Sequence, residues 1–184
     1  MTLKICSNVR VIKINYSWKI CIIGDGSVGK TSLIHRCIDN KFQDSYNETI
    51  GIDLFSHTLS IDFQNQTHEV SLLIYDLGGQ DYWKKLRTDF YNRSKGLALV
   101  YDISRPETFE SLSNWYDEAI ENIGHEVPCI ILGNKIDLTN NISKELFEST
   151  MSKFKFKHYY VSAKTGESVI DAFKEISKDI LASQ

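Results

Sequence analysis

The chain has 184 residues, 42% of them hydrophobic and 24% charged, which is enough for one domain with one sizeable core. A net charge of −3 excludes the basic footprint of a nucleic-acid-binding domain, and no apolar run approaches the ~20 residues of a membrane-spanning helix. Cys6, Cys21, Cys37 and Cys129 match no zinc spacing and no CxxC pair, so they read as free thiols of a reducing, intracellular compartment.

Residues 1–17 are read as an N-terminal extension and 18–184 as the folded domain. Four cations (Lys4, Arg10, Lys13, Lys19) and no acid precede Gly24, too sparse a set to be more than a solvated face. Within the extension, 3–14 reads equally as a short extra strand or an arm. Residues 18–23 form the first apolar run and predict a strand that ends at Gly24. A helical stretch follows over 29–40. Residues 52–63 and 67–75 predict two strands joined by a polar turn around Asn65. The unbroken apolar runs 97–101 and 129–132 suit strands buried on both faces, and 159–161 is a shorter candidate. Helices are expected over 106–122, 143–154 and 168–182. Leu112, Trp115, Tyr116, Ala119 and Ile120 share one face of the first, and Val169, Ala172, Phe173, Ile176 and Ile180 one face of the last. Strands alternating with helices imply an α/β fold with a mostly parallel sheet covered on both sides.

Gly24-Asp25-Gly26-Ser27-Val28-Gly29-Lys30-Thr31 fits G-x-x-x-x-G-K-[ST], between an apolar run and a helix start. Glycines there let the backbone wrap phosphates, and the N–H groups of the loop and helix start, through Ser32, face the anion. Lys30 would reach the outer phosphates as a compact cation, and the Thr31 hydroxyl would bind Mg. This loop by itself specifies only a nucleoside triphosphate. Asn134-Lys135-Ile136-Asp137 decides the base, because a carboxylate at Asp137 accepts both hydrogens that guanine presents and adenine lacks. Asn134 would tie this loop to the phosphate loop, and the Lys135 stem would lie on the base. In Ser162-Ala163-Lys164, a backbone N–H, that of Ala163, would meet the guanine carbonyl. Asp76, ending the run before Leu77-Gly78-Gly79-Gln80, is placed to hold Mg through water. Gly79 permits backbone approach to a γ-phosphate, Gln80 would orient the attacking water, and Thr49 would give Mg a second hydroxyl. Lys30 and Gln80 are thus the candidate catalytic residues.

Together these motifs resemble the Ras superfamily from about Trp18 to Leu181. The segments Thr49-Ile50-Gly51-Ile52-Asp53, Leu99-Val100-Tyr101-Asp102-Ile103-Ser104 and Phe109-Glu110-Ser111-Leu112, with Trp115, resemble its Rab branch. The resemblance implies a P-loop GTPase domain whose six-stranded sheet, with one antiparallel edge pair, is flanked by five helices. It also implies a GTP/GDP switch with Mg that hydrolyses GTP slowly and serves vesicle traffic. Phe42 would pack against guanine, and Tyr46 and Thr49 would belong to the first switch. Exchange factor, GTPase-activating protein and effectors would engage 42–55 and 76–92. Where the family reads Asp-Thr-Ala-Gly-Gln, this chain has Asp76-Leu77-Gly78-Gly79-Gln80, and the paired glycines should loosen the second switch. The aromatic triad of the branch would be Leu54, Tyr75 and Phe90, and the hairpin between 52 and 75 is a few residues longer than is usual there. A nucleotide-bound scaffold with little hydrolysis is the alternative, motivated by Gly78. The written chain lacks a C-terminal prenylation box, so it is expected in the cytoplasm. It would be peripheral to a membrane only through a missing prenylated tail or a recruiting partner.

Overall fold

The computed structural model describes residues 15–42 and 49–184. Tyr46 and residues 1–14 of the expected extension lie outside them. Six strands form one sheet: β1 (Asn15–Ile23), β2 (Ile52–Phe63), β3 (Gln66–Leu77), β4 (Gly96–Asp102), β5 (Cys129–Asn134) and β6 (Lys157–Tyr160). Their order is β2-β3-β1-β4-β5-β6, with only β2 antiparallel to its neighbour. This is the expected α/β arrangement. β1 starts at Asn15, ahead of the apolar run from Trp18, because its first residues pair with Glu69 to Ser71 of β3.

β4 and β5 are buried at every position, as their unbroken apolar sequences require. β2 and β3 pair over their full length, from Ile52 with Leu77 to Phe63 with Gln66. Gln64 and Asn65 close the hairpin at φ 49° and 62°, the left-handed pair of a two-residue turn that matches strand twist.

The helices are α1 (Lys30–Asp39), α2 (Lys84–Thr88), α3 (Pro106–Glu110), α4 (Leu112–Ile123), α5 (Lys144–Met151) and α6 (Val169–Ala182). The single helix expected over 106–122 is interrupted at Ser111, whose hydroxyl donates to the Thr108 carbonyl. Ser143 caps α5 by accepting from the Leu146 N–H.

Alternate side chains of each central strand enter two cores. On one face Ile20, Ile22, Ile74 and Val100 pack with Leu33 and Ile34 of α1 and Phe173, Ile176 and Ile180 of α6. On the other, Ile23, Leu97, Leu99 and Ile131 pack with Phe109, Leu112, Trp115 and Ala119. The loops after β1, β3, β5 and β6 all leave the carboxyl edge of the parallel strands, beside the crossover from β1 to its two neighbours. That is where open α/β sheets bind ligands.

Candidate functional site

At this edge lies a cavity of about 640 Å³. It is lined by Gly26, Ser27, Gly29, Lys30, Thr31, Ser32, Phe42, Thr49, Gly79, Gln80, Asn134, Lys135, Asp137, Ala163 and Lys164, all expected from sequence. His35, Asp39, Lys41, Asp53 and Leu138 also line it. These last were not among the site candidates.

The phosphate loop turns through Ser27 at φ 64° and Gly29 at φ 95°. A Cβ at Gly29 would collide with the Asn134 side-chain nitrogen, so glycine serves both conformation and approach. Among the described residues, no side chain caps α1 at Gly29, which leaves the N–H groups of its first turn open toward the cavity. Lys30 Nζ donates to the carbonyls of Gly24 at 2.8 Å and Asp25 at 3.0 Å. Burial lowers the Lys30 pKa to about 8, against the pull of the Asp76 and Asp25 carboxylates. A polyanion beside it would favour the charged form.

Thr31 Oγ1 and Thr49 Oγ1 lie 2.8 Å apart, and both donate to Asp76 Oδ2, Thr49 at 3.2 Å. The structure thus gathers the three residues expected at Mg. Asp76 is fully buried, and its Oδ1 finds no hydrogen-bond partner among the described residues. Burial pushes its carboxyl pKa up, while Lys30 and the two threonines pull it down. An orphaned carboxylate oxygen beside two converging hydroxyls is a hard oxygen donor set and fits Mg.

Asn134 is buried and spans two loops, donating to the Val28 carbonyl at 2.8 Å and accepting from the Ala163 N–H at 3.1 Å. The first contact is the expected tie to the phosphate loop. The second engages the Ala163 N–H, the group expected to meet a guanine carbonyl. Lys135, at φ 69°, donates to the Ser27 carbonyl at 2.8 Å and pairs with Asp102 at 2.6 Å. Burial raises the Asp102 carboxyl pKa, but Lys135 and Ser104 outweigh it and hold it below the usual range. Asp137 Oδ1 accepts from Ser162 Oγ at 2.6 Å, which aims the carboxylate.

Some expected residues stand behind the cavity wall. Val28 is in the core and contributes its backbone. Ser162 is buried and acts through Asp137. The Asp25 carboxylate points away, accepting from Trp115 Nε1 at 2.6 Å.

Gly79 runs against the phosphate loop: a Cβ there would lie 2.6 Å from the Gly24 oxygen and the Asp25 carbonyl carbon. The Gln80 side chain covers Gly26, with Nε2 2.7 Å from where a Gly26 Cβ would stand. The Gly78 N–H donates to the Gly51 carbonyl at 3.0 Å, and a Cβ would lie 2.8 Å from Trp83 Cδ1 and 2.9 Å from the Gly51 oxygen. Glycine here makes room for Trp83, a steric reason for the residue beside the expected loosening. Leu77, where the family has threonine, is fully buried in the α4-side core.

Three ties were invisible in sequence. Arg36 of α1 donates to the carbonyls of Ala163 at 2.8 Å and Lys164 at 2.6 Å. Arg105 donates to the Gly26 carbonyl at 2.9 Å while pairing with Asp102. Arg87 donates to the Gln80 carbonyl at 2.8 Å. Leu54 and Tyr75 are cross-strand partners, and the Tyr75 and Phe90 rings lie 6.1 Å apart, so the expected triad is contiguous.

The model of the Ras family matches residues 19–182. Ras-related protein Rab-13 of Rattus norvegicus is 33% identical over 169 residues, 91% of this chain and 81% of that protein. Ras-related protein Rab-21 of Homo sapiens is 34% identical over 168 residues, 90% of this chain and 73% of its own length. Ras-related protein Rab-8B of Homo sapiens is 33% identical over 169 residues, 91% and 80%.

Proposed function

The chain belongs to the Ras family, with Rab proteins among its relatives, and from that premise we propose a guanine-nucleotide switch that binds GTP or GDP with Mg and slowly hydrolyses GTP. The observation that carries the reading is that Thr31 and Thr49, which line one cavity with Lys30 and Gln80, meet on the buried, orphaned Asp76 carboxylate behind its wall. Gly26, Ser27, Gly29, Lys30, Thr31 and Ser32 would hold the phosphates. Asn134, Lys135, Asp137 and the 162–164 loop would hold the base, with Phe42 at its edge. Thr31 and Thr49 would bind the metal directly and Asp76 through water. The metal, when bound, would screen charge between the outer phosphates. Gln80 would orient water, and Lys30 would stabilise charge on the γ-phosphoryl group. No obvious internal arginine finger was read from the sequence. A partner's arginine typically adds ~10³–10⁵ in rate, which is why intrinsic turnover should be slow.

Switching follows from where Thr49 and Gly79 sit. Each belongs to a segment whose place over the cavity depends on the γ-phosphate and metal, so hydrolysis would release both. Exposed Ile50, Leu54, Tyr82 and Leu86 lie on these segments and suit partner docking through 42–55 and 76–92. A role in Rab-type vesicle traffic is the corresponding reading. Among the described residues no helix is long and apolar enough to cross a membrane. Attachment would come from a prenylated tail or a partner.

Thr31→Asn tests the metal. It should weaken GTP binding about tenfold more than GDP binding, since an amide replaces a hydroxyl that the metal and Asp76 share. In the wild-type chain, EDTA should accelerate release of a fluorescent GDP. Release indifferent to EDTA would remove the metal from the account.

Gly78→Ala tests the second switch. It should slow intrinsic hydrolysis about threefold or more, because the added methyl displaces Trp83 or Gly51 and shifts Gln80. Trp83→Ala in the same chain removes the ring atoms that the methyl would meet and should restore part of the rate. A faster Gly78→Ala chain would mean that looseness, not room, is what glycine contributes there.

A further inference from the structure

We infer that Arg87 is a positioning residue that holds Gln80 for hydrolysis, working through the Gln80 main-chain carbonyl from a platform on α4. The inference rests on the reading that Gln80 orients the attacking water.

Arg87 is on α2, with a side chain only 3% exposed. Its Nε and Nη2 donate to the two oxygens of Glu118 at 2.6 and 3.0 Å, the parallel two-bond geometry that a guanidinium makes with a carboxylate. Its plane lies 4.3 Å from the centre of the Trp115 ring. Tyr91 donates to the same Glu118 oxygen at 2.9 Å. With orientation fixed on these sides, Nη1 is aimed at the Gln80 carbonyl, 2.8 Å away. That carbonyl also accepts from the Trp83 N–H at 3.1 Å, so both of its lone pairs are engaged.

The platform is tied to the phosphate loop. Trp115, under Arg87, donates to the Asp25 carboxylate at 2.6 Å. Upstream of Gln80, Gly79 is pressed against Gly24 and Asp25. Gln80 is thus held between the phosphate loop on one side and Arg87 on the other, both referenced to one helix. What remains free is its side chain, which reaches over Gly26.

A buried ion pair gives little stability beyond an apolar pair of the same shape. An apolar side chain at position 87 could fill the space against Trp115. It could not donate to the Gln80 carbonyl. The fork of arginine is needed because one planar group must serve Glu118 and Gln80 at once, which the single ammonium of lysine cannot do in that geometry.

The test is single-turnover hydrolysis of GTP by the full chain as wild type, Arg87→Lys, Gln80→Leu and the double variant. Arg87→Lys keeps a cation for Glu118 and should slow hydrolysis about tenfold, as a small displacement of a positioned group does. GDP and GTP-analogue affinities should stay within about twofold of wild type. In the Gln80→Leu background the same change should add no further loss, which a merely structural role would not produce. If Arg87→Lys does not fold, Glu118→Gln carries the test with the same expected pattern. Wild-type hydrolysis in the single variant, or an equal loss in both backgrounds, would overturn the inference. Gln80→Leu hydrolysing as fast as wild type would overturn the reading of Gln80 on which it stands.

Discussion

Asp137→Asn lowers the affinity for GDP and GTP by roughly 10²–10⁴-fold and raises that for xanthosine nucleotides, if the base is read as we propose. Each hydrogen bond to a charged group contributes about 1.5–3 kcal/mol, and two such bonds to guanine would be lost or weakened. An amide cannot accept with both heads, and its NH₂ faces the guanine donors. Xanthine carries an acceptor where guanine carries the exocyclic amine, so the same NH₂ would find a partner. The substitution should leave the fold intact. Asp137 is tied to the scaffold through its Oδ1, which accepts from Ser162 at 2.6 Å, and an asparagine oxygen can accept that bond equally. Competition of unlabelled nucleotides against a fluorescent GDP gives both affinities. An unchanged GDP affinity would remove Asp137 from base recognition.

Gln80→Leu should slow single-turnover GTP hydrolysis by roughly 10–10²-fold. Removing one dedicated transition-state donor costs about 10²–10³ in enzymes with a preorganised oxyanion site. A smaller loss is expected here because Lys30 and the loop amides would still face the phosphates. Affinity for either nucleotide should change little, since a group that acts only in the transition state is absent from ground-state binding. Leucine ends at the position of the glutamine Cδ, so its methyl groups keep the packing of Cδ over Gly26 and lose that of Nε2. An unchanged rate would leave a nucleotide-bound scaffold as the better description.

What was legible in the sequence is what is contiguous in the chain. The phosphate loop, the 134–137 motif and the 162–164 loop each put backbone and side chains at one strand end, so local reading located them. The strands buried on both faces were readable for the same reason, because 97–101 and 129–132 carry no alternation. What was not legible depends on partners distant in the chain. Arg36 meets Ala163 and Lys164, Trp115 meets Asp25, and Arg87 meets Glu118 and Trp115 across elements that only the fold brings together. Gly78 shows what local reading leaves out. Read locally, a glycine pair means freedom, but the space that a methyl would need is taken by Trp83 and the Gly51 carbonyl.

The most direct test of the central claim is the nucleotide itself. The purified chain is denatured and the released nucleotide is identified by chromatography. The refilled protein is then followed through one turnover of γ-labelled GTP, with and without Mg. The account predicts guanine nucleotide near one per chain and slow, Mg-dependent release of phosphate that Gln80→Leu suppresses. Adenine nucleotide in the cavity, or GTP that stays intact in the presence of Mg, would contradict it.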